Sequence, residues 1–189
     1  MKVFYDLGTH LFEGLLDLYN VYHFNEDWKI YCFEPNPYTY IKAKEILKTH
    51  TVLKNLNIEL LNVAVLHTDG ISRFHCHDDD YCNMFIGVGS RITYNLDTPY
   101  VNVETVCLSN FIRKNYIIDD EIYIKMDIEG SEFVTIEDLI QTNTHLLIKK
   151  IFIEWHDRFW SKDQATYINW KNNLMSRLID DNINVDVWL

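Results

Sequence analysis

Along the chain, short runs of apolar and β-branched residues alternate with longer stretches in which apolar residues recur at helical spacing. This pattern predicts strands and helices in turn. Residues 2–6 form a buried strand ending in Asp6, followed by Gly8 and a helical run with Leu11, Leu15, Leu16 and Leu18 in the apolar places. Residues 29–34 form a second strand, ending in Glu34. Asn36 is placed to cap the next helix and Pro37 to fill its first turn, where a missing N–H costs nothing. Ile41, Ile46 and Leu47 lie on one side of that helix, and residues 57–65 are predicted as a third strand. The pattern weakens between Thr68 and Pro99, with a turn at Asp69-Gly70, a short strand around Phe74 and a loop holding Gly87 and Gly89. Residues 101–106 alternate as a strand, and Leu108 opens a short helix. Residues 122–127 give another buried strand, ending in Asp127; Gly130 then releases a helix over 132–141. Residues 150–154 repeat the plan, ending in Glu154. Ser161 and Gln164 form a capping box for a helix through Trp170 and Leu178, and 184–189 is a last strand.

Strands alternating with helices predict an α/β fold, a mostly parallel sheet with helices on both faces. With 189 residues, 6 Gly and 3 Pro, the chain is expected to be a single domain over 1–189 with no linker. Its 48% hydrophobic and 24% charged residues make an ordinary globular balance. No apolar run approaches the ~20 residues of a membrane span, and the N-terminus turns polar too early for a signal peptide, so a cytoplasmic protein is expected. A formal net charge of −11 disfavours nucleic acid as a partner, because such binding draws on neutralised phosphates. The charge leaves the oligomeric state open. Of the four cysteines, Cys32 and Cys107 lie in apolar strand runs as small hydrophobes, and reduced thiols are expected throughout, Cys76 and Cys82 included.

Four predicted strands thus end in acid: Asp6, Glu34, Asp127 and Glu154. Open α/β sheets bind ligands beyond the carboxyl ends of their strands, so these side chains are expected to converge on one rim. Any one of them could merely cap a helix; four in register point to a site. Gly8 allows a tight turn after the first strand, and Glu34 stands where an acid accepts hydrogen bonds from ribose hydroxyls. The turn Gly8-Thr9-His10-Leu11-Phe12-Glu13-Gly14 lacks G-x-G-x-x-G, and Glu13 would face a pyrophosphate. A cofactor with an amino-acid end and a sulfonium charge, S-adenosyl-L-methionine, suits this turn better than NAD.

The segments Asp6-Leu7-Gly8-Thr9, Phe33-Glu34-Pro35-Asn36-Pro37, Asn62-Val63-Ala64-Val65, Lys125-Met126-Asp127-Ile128-Glu129-Gly130-Ser131-Glu132 and Glu154-Trp155-His156 resemble the ordered motifs of FkbM-family methyltransferases. The K-x-D-x-E-G-x-E segment is the most specific of them. The resemblance implies a Rossmann-like class I methyltransferase fold and S-adenosylmethionine-dependent O-methylation of a sugar or glycan hydroxyl. Other acceptor classes (lipid, peptide, small metabolite or RNA) stay open, as does a non-catalytic cofactor-binding partner subunit. It also implies that Asp6 and Gly8, with Thr9 and His10 of the same turn, line the methionine end of the cofactor. Glu34, beside Pro35, would hold the ribose; Asn36 and Asn62-Val63-Ala64 would lie near the adenine, and Asp127 nearest the methyl group. Two positions depart from the family: Phe12 replaces a usual glycine and His10 a usual asparagine. Phe12 is expected to crowd the cofactor or to shift the helix. The closing antiparallel strand pair of such a fold is expected to be incomplete.

A sugar hydroxyl needs a base or a metal ion to become a nucleophile. Asp127, Glu154 and His156 are the catalytic candidates, with His156 as base at an ordinary pKa of roughly 6.5. Alternatively Asp127, Glu154 and Asp157 hold a magnesium ion, which prefers oxygen ligands. A histidine bonded to a backbone carbonyl is the structural alternative for His156. Trp155 is expected in the core, and Glu129 and Glu132 can be helix N-terminal acids favoured by the macrodipole. The run His75-Cys76-His77-Asp78-Asp79-Asp80-Tyr81-Cys82 lacks a second ligand cluster at zinc spacing and reads as a solvated acidic loop. With Asn83, Arg91 and Tyr94 it is a candidate acceptor wall. Trp155, Trp160, Trp170, Tyr38 and Tyr40 stand near predicted strand or helix ends, where aromatic faces near a pocket would suit sugar stacking; most of the aromatics are expected to be core.

Overall fold

The computed structural model describes residues 1–75, 84–85, 100–156 and 164–188. In chain order its elements are β1 (Lys2–Leu7), α1 (Glu13–Tyr22), β2 (Trp28–Phe33), α2 (Pro37–Thr49), β3 (Ile58–Leu61), β4 (Ala64–Leu66), β5 (Gly70–His75), β6 (Met84–Phe85), β7 (Tyr100–Cys107), α3 (Leu108–Asn115), β8 (Glu121–Met126), α4 (Glu132–Gln141), β9 (Ile148–Ile153), α5 (Gln164–Asp180) and β10 (Asn184–Val187). Six strands form one sheet in the order β10-β9-β8-β1-β2-β3, every pair parallel. Strand order therefore reverses between β1 and β8, which is where an open α/β sheet forms its ligand crevice.

The two-residue period of the strands sorts the core into two layers. Val3, Tyr5 and Leu7 of β1, with Ile122, Ile124 and Met126 of β8, pack among Leu108 and Ile112 of α3, Phe133 and Ile136 of α4, and Leu174 and Leu178 of α5. Phe4 of β1 and Trp28, Ile30 and Cys32 of β2 meet Phe12, Leu15 and Leu18 around α1, and Ala43 of α2. Helices thus cover both faces, as the alternation predicts. Because β1 and β8 are buried on both sides, their apolar runs are nearly continuous. Asp6 and Lys125 interrupt those runs, and the register pairs them side by side.

The expected third strand at 57–65 is two strands in two sheets. Asn62 and Val63 separate β3, in the main sheet, from β4, which joins a second sheet in the order β4-β7-β5-β6. Asn62 Nδ2 donates to the backbone carbonyls of Glu34 and Pro35, at 2.8 and 3.1 Å, and so holds the chain where it turns. Both halves are apolar, so hydrophobic pattern alone could not divide them. On α2, Ile41 is 61% exposed, while Thr39 and Ala43 are the buried residues. The cap predicted for that helix is present, with Asn36 Oδ1 accepting from the Tyr38 and Thr39 amides and Pro37 following. Ser161 of the expected capping box lies outside the described residues. The last strand, β10, pairs parallel to β9. No described helix is long and apolar enough to cross a membrane.

Candidate active site

Asp6 is the last residue but one of β1, and Glu34, Asp127 and Glu154 are each the first residue after β2, β8 and β9. The carboxylates therefore line one edge of the sheet. Backbone bonds knit that edge together: Gly8 and Thr9 N–H donate to Phe33 O, Glu34 N–H to Leu61 O, Asp127 N–H to Leu7 O and Glu154 N–H to Met126 O.

Gly8 is left-handed (φ 76°), and a Cβ there would lie 1.8 Å from the carbonyl oxygen of Asp127. Only glycine permits this approach of the β1 turn to the end of β8. His10 (φ 49°) and Phe12 (φ 73°) are left-handed too, as are Glu129 (φ 51°) and Gly130 (φ 99°) across the crevice. For a non-glycine residue this backbone costs about 1–2 kcal/mol, and such strain gathers at functional sites. The turn's amides are taken by the protein itself. His10 N–H donates to Glu34 Oε2 at 2.9 Å, Leu11 N–H to Glu13 Oε2 at 3.0 Å and Phe12 N–H to Thr9 O at 2.9 Å. The carboxylate of Glu13, also 3.2 Å from His10 Nδ1, stands where a pyrophosphate would need bare N–H groups.

The ring of Phe12 does not point into this crevice. It is fully buried in the core beside Leu15 and Phe4, so the expectation that it crowds the cofactor is corrected. Thr9 is buried, with its hydroxyl donating to Asp6 O at 3.0 Å. Ala64 packs into the core of the second sheet with Leu66, Phe74 and Val103, and Val63 against the main core, so only Asn62 of that trio turns a polar group toward the Glu34 segment. Pro35 is half-buried between Glu34 and the capping Asn36.

Glu34 is buried and accepts from the amides of His10 and Asn36, both at 2.9 Å. Burial pushes its pKa up to about 7 even though those two amides favour the charge. Asp6 is 1% exposed, and neither of its oxygens has a hydrogen-bond donor among the described residues. Lys125 Nζ stands 3.7 Å from Asp6 Oδ1, a charge contact too long to be a hydrogen bond. Burial raises the Asp6 pKa; Lys125 opposes the rise without cancelling it.

On the other side of the crevice His156 is enclosed by acids. Its Nδ1 lies 2.8 Å from Glu132 Oε1, and its Nε2 lies 3.3 Å from Glu129 Oε2, 3.5 Å from Glu154 Oε1 and 3.8 Å from Asp127 Oδ1. Burial disfavours the charged ring, but the hydrogen bond to Glu132 and the charges of Glu132, Glu129 and Asp127 outweigh it and raise the pKa to about 9. Glu132 is fully buried, and its two oxygens also accept from Ile128 N–H at 3.0 Å and Gly130 N–H at 2.9 Å. It is thus far more than a helix N-terminal acid: it shapes the loop that carries Asp127 and Glu129. The partner of His156 is this carboxylate rather than a backbone carbonyl.

The structure brings together Asp6, Asp127, Glu154 and His156, and stitches Glu34 to the β1 turn through His10. Asp157 lies outside the described residues, as do Cys76 to Cys82, Asn83, Arg91, Tyr94 and Trp160. Among the described residues, Asp127, Glu129 and His156 are the group whose ligand atoms fall within 4.8 Å of one another. Trp155 is core, its ring 5.0 Å from that of Phe133. Lys125, Glu129 and Glu132 carry site geometry that no sequence-based role anticipated, although all three stand in the K-x-D-x-E-G-x-E segment.

A parallel sheet reversing at β1 and β8, acids at four strand ends, and a β1 turn closed to phosphate define a Rossmann-like α/β protein of the methyltransferase class. Residues 6–182 match the family described as the methyltransferase FkbM domain, and the chain belongs to that family. The crystal structure of methyltransferase FkbM from Methylobacillus flagellatus KT is similar over 75% of this chain and 30% of its own, with 15% identity and a TM-score of 0.44. The chain thus corresponds to less than a third of that protein's length. No curated protein matches the sequence.

Proposed function

We propose that this domain is an S-adenosylmethionine-dependent methyltransferase that methylates a sugar or glycan hydroxyl. The observation that carries the reading is the pair of buried carboxylates at the ends of β1 and β2. Asp6 has no hydrogen-bond donor among the described residues, which fits the ammonium of an amino-acid end. Glu34 uses two of its roughly four acceptor positions on backbone amides, which leaves it able to accept from ribose hydroxyls. Gly8, Thr9 and His10 would wall the amino-acid end, with Pro35, Asn36 and Asn62 on the adenine side. When bound, this cofactor supplies an electrophilic methyl group.

The protein's own task is to orient an acceptor oxygen and remove its proton. The acids around His156 favour its protonated form, which supports reading it as a cation that gathers them over the base suggested by its ordinary pKa. The carboxylates it gathers, Asp127 and Glu154, are the proton acceptors we assign, and His156 holds them in place. Three part-exposed acids in one ring make a poor seat for a phosphate-rich acceptor, which supports a neutral hydroxyl over nucleic acid. Two free buried thiols, Cys32 and Cys107, suit the cytoplasm.

A second reading has magnesium at Asp127, with Glu129, on the strength of the close approach of their ligand atoms to each other and to His156; Glu154, another expected ligand, is not in that group. Methyl transfer from radiolabelled cofactor to a glycan panel, with and without chelator, tests both. Transfer that survives chelator and falls at least a hundredfold in Asp127→Asn supports the metal-free reading. Transfer abolished by chelator and restored by magnesium selects the second.

A further inference from the structure

Lys125 has no part in the reaction proposed above, yet its ammonium lies at the centre of the site at 3% exposure. A buried ion pair is commonly no more stabilising than well-packed apolar side chains of the same size, so stability alone does not account for a lysine here. Room is made for it. Gly14 of α1 faces it, and a Cβ there would stand 3.1 Å from Lys125 Cε and 3.6 Å from Nζ.

The ammonium donates to Gly8 O at 2.9 Å and to Asp127 Oδ2 at 3.2 Å, and it faces Asp6 Oδ1 at 3.7 Å. These three groups belong to the end of β1, the turn after it and the residue after β8. They are the two walls of the crevice, brought together across 117 residues of sequence in the Gly8 contact. The charge of Lys125 is also felt by Glu34 and Glu154, so all four rim carboxylates share it.

We propose that Lys125 is a positioning residue that locks the β1 turn to Asp127, so that the cofactor side and the acceptor side of the crevice are held in one frame. The proposal rests on reading the crevice as an S-adenosylmethionine site. Lys125→Met keeps the length and the apolar stem but removes the charge. Titration calorimetry with S-adenosylhomocysteine on the wild type, Lys125→Met, Asp127→Asn and the double variant reads the coupling without needing an acceptor. Each single variant is expected to lose at least tenfold in affinity, and the double variant to bind about as weakly as the worse single one. A Lys125→Met protein within twofold of wild type overturns the proposal, and so do losses that multiply. If the wild type itself does not bind, the cofactor reading falls and this inference with it; if only Lys125→Met matches wild type, the inference falls alone. Should Lys125→Met fail to fold, Lys125→Ala is measured with and without propylamine. Affinity restored by the amine and not by propanol supports the ammonium's role, and no restoration overturns it.

Discussion

The side chain of Phe12 is fully buried while its backbone is left-handed, two demands that oppose each other in one residue. Glycine there would relieve about 1–2 kcal/mol of strain but forfeit a buried phenyl ring, for which large-to-small losses run about 3–5 kcal/mol. Phe12→Gly is therefore expected to lower unfolding stability by about 2–3 kcal/mol in a urea titration. Affinity for S-adenosylhomocysteine should stay within threefold of wild type, because the ring faces the core. A variant that bound much more tightly would show that Phe12 obstructs the site. Glu34 sets a pH dependence of opposite sign in stability and binding. Its folded pKa of about 7 lies above the ordinary 4.5, so the proton is held more tightly in the folded state. That contribution to stability is full below pH 4.5 and is lost as pH rises through 7. The proposed ribose contact would use the ionised form, so affinity is expected to rise between pH 6 and 8. Glu34→Gln should flatten that profile; an unchanged slope would assign it to another group.

At the scale of elements, α1 begins against the site rather than merely lying beside the sheet. Gly14 lies inside it, where alanine would ordinarily gain up to about 1 kcal/mol of helix propensity. The new Cβ would meet Lys125, which three contacts hold in place, so Gly14→Ala is expected to lower the melting temperature instead of raising it. An increase of several degrees would mean that Lys125 is free to move. Asn36 caps α2, and Asn36→Ala should cost about 1 kcal/mol by thermal or urea unfolding. The cap, the α4 boundaries and the acids at strand ends were all legible in the sequence, because each depends on residues within a few positions of one another. What was not legible depends on contacts far apart in the chain. The break at Asn62 rests on carbonyls near residue 35, the exposure of Ile41 on which residues of α2 are buried, and the upward pKa shift of His156 on Glu132 and Glu129. The burial of Phe12 was not legible because a side chain's direction from a left-handed residue cannot be read from its identity.

For the whole molecule, the parallel sheet and its reversal at β1 and β8 bring five acids, Asp6, Asp127, Glu129, Glu132 and Glu154, around two buried basic side chains, Lys125 and His156. Such a site stabilises the fold only as far as each charge is answered, and a ligand that answers Asp6 and Glu34 should stabilise it further. At a hundredfold excess over its dissociation constant, a ligand specific for the folded state adds about 2.7 kcal/mol. S-adenosylhomocysteine is accordingly expected to raise the melting temperature by several degrees, and NAD to leave it unchanged. The central claim is that the crevice at β1 and β2 receives the methyl donor through these two carboxylates. Calorimetric titration of the purified domain with S-adenosylhomocysteine, repeated on Glu34→Ala, tests it most directly. The account predicts micromolar binding at one site that the substitution abolishes. No heat at millimolar ligand, or equal binding by the variant, would contradict it.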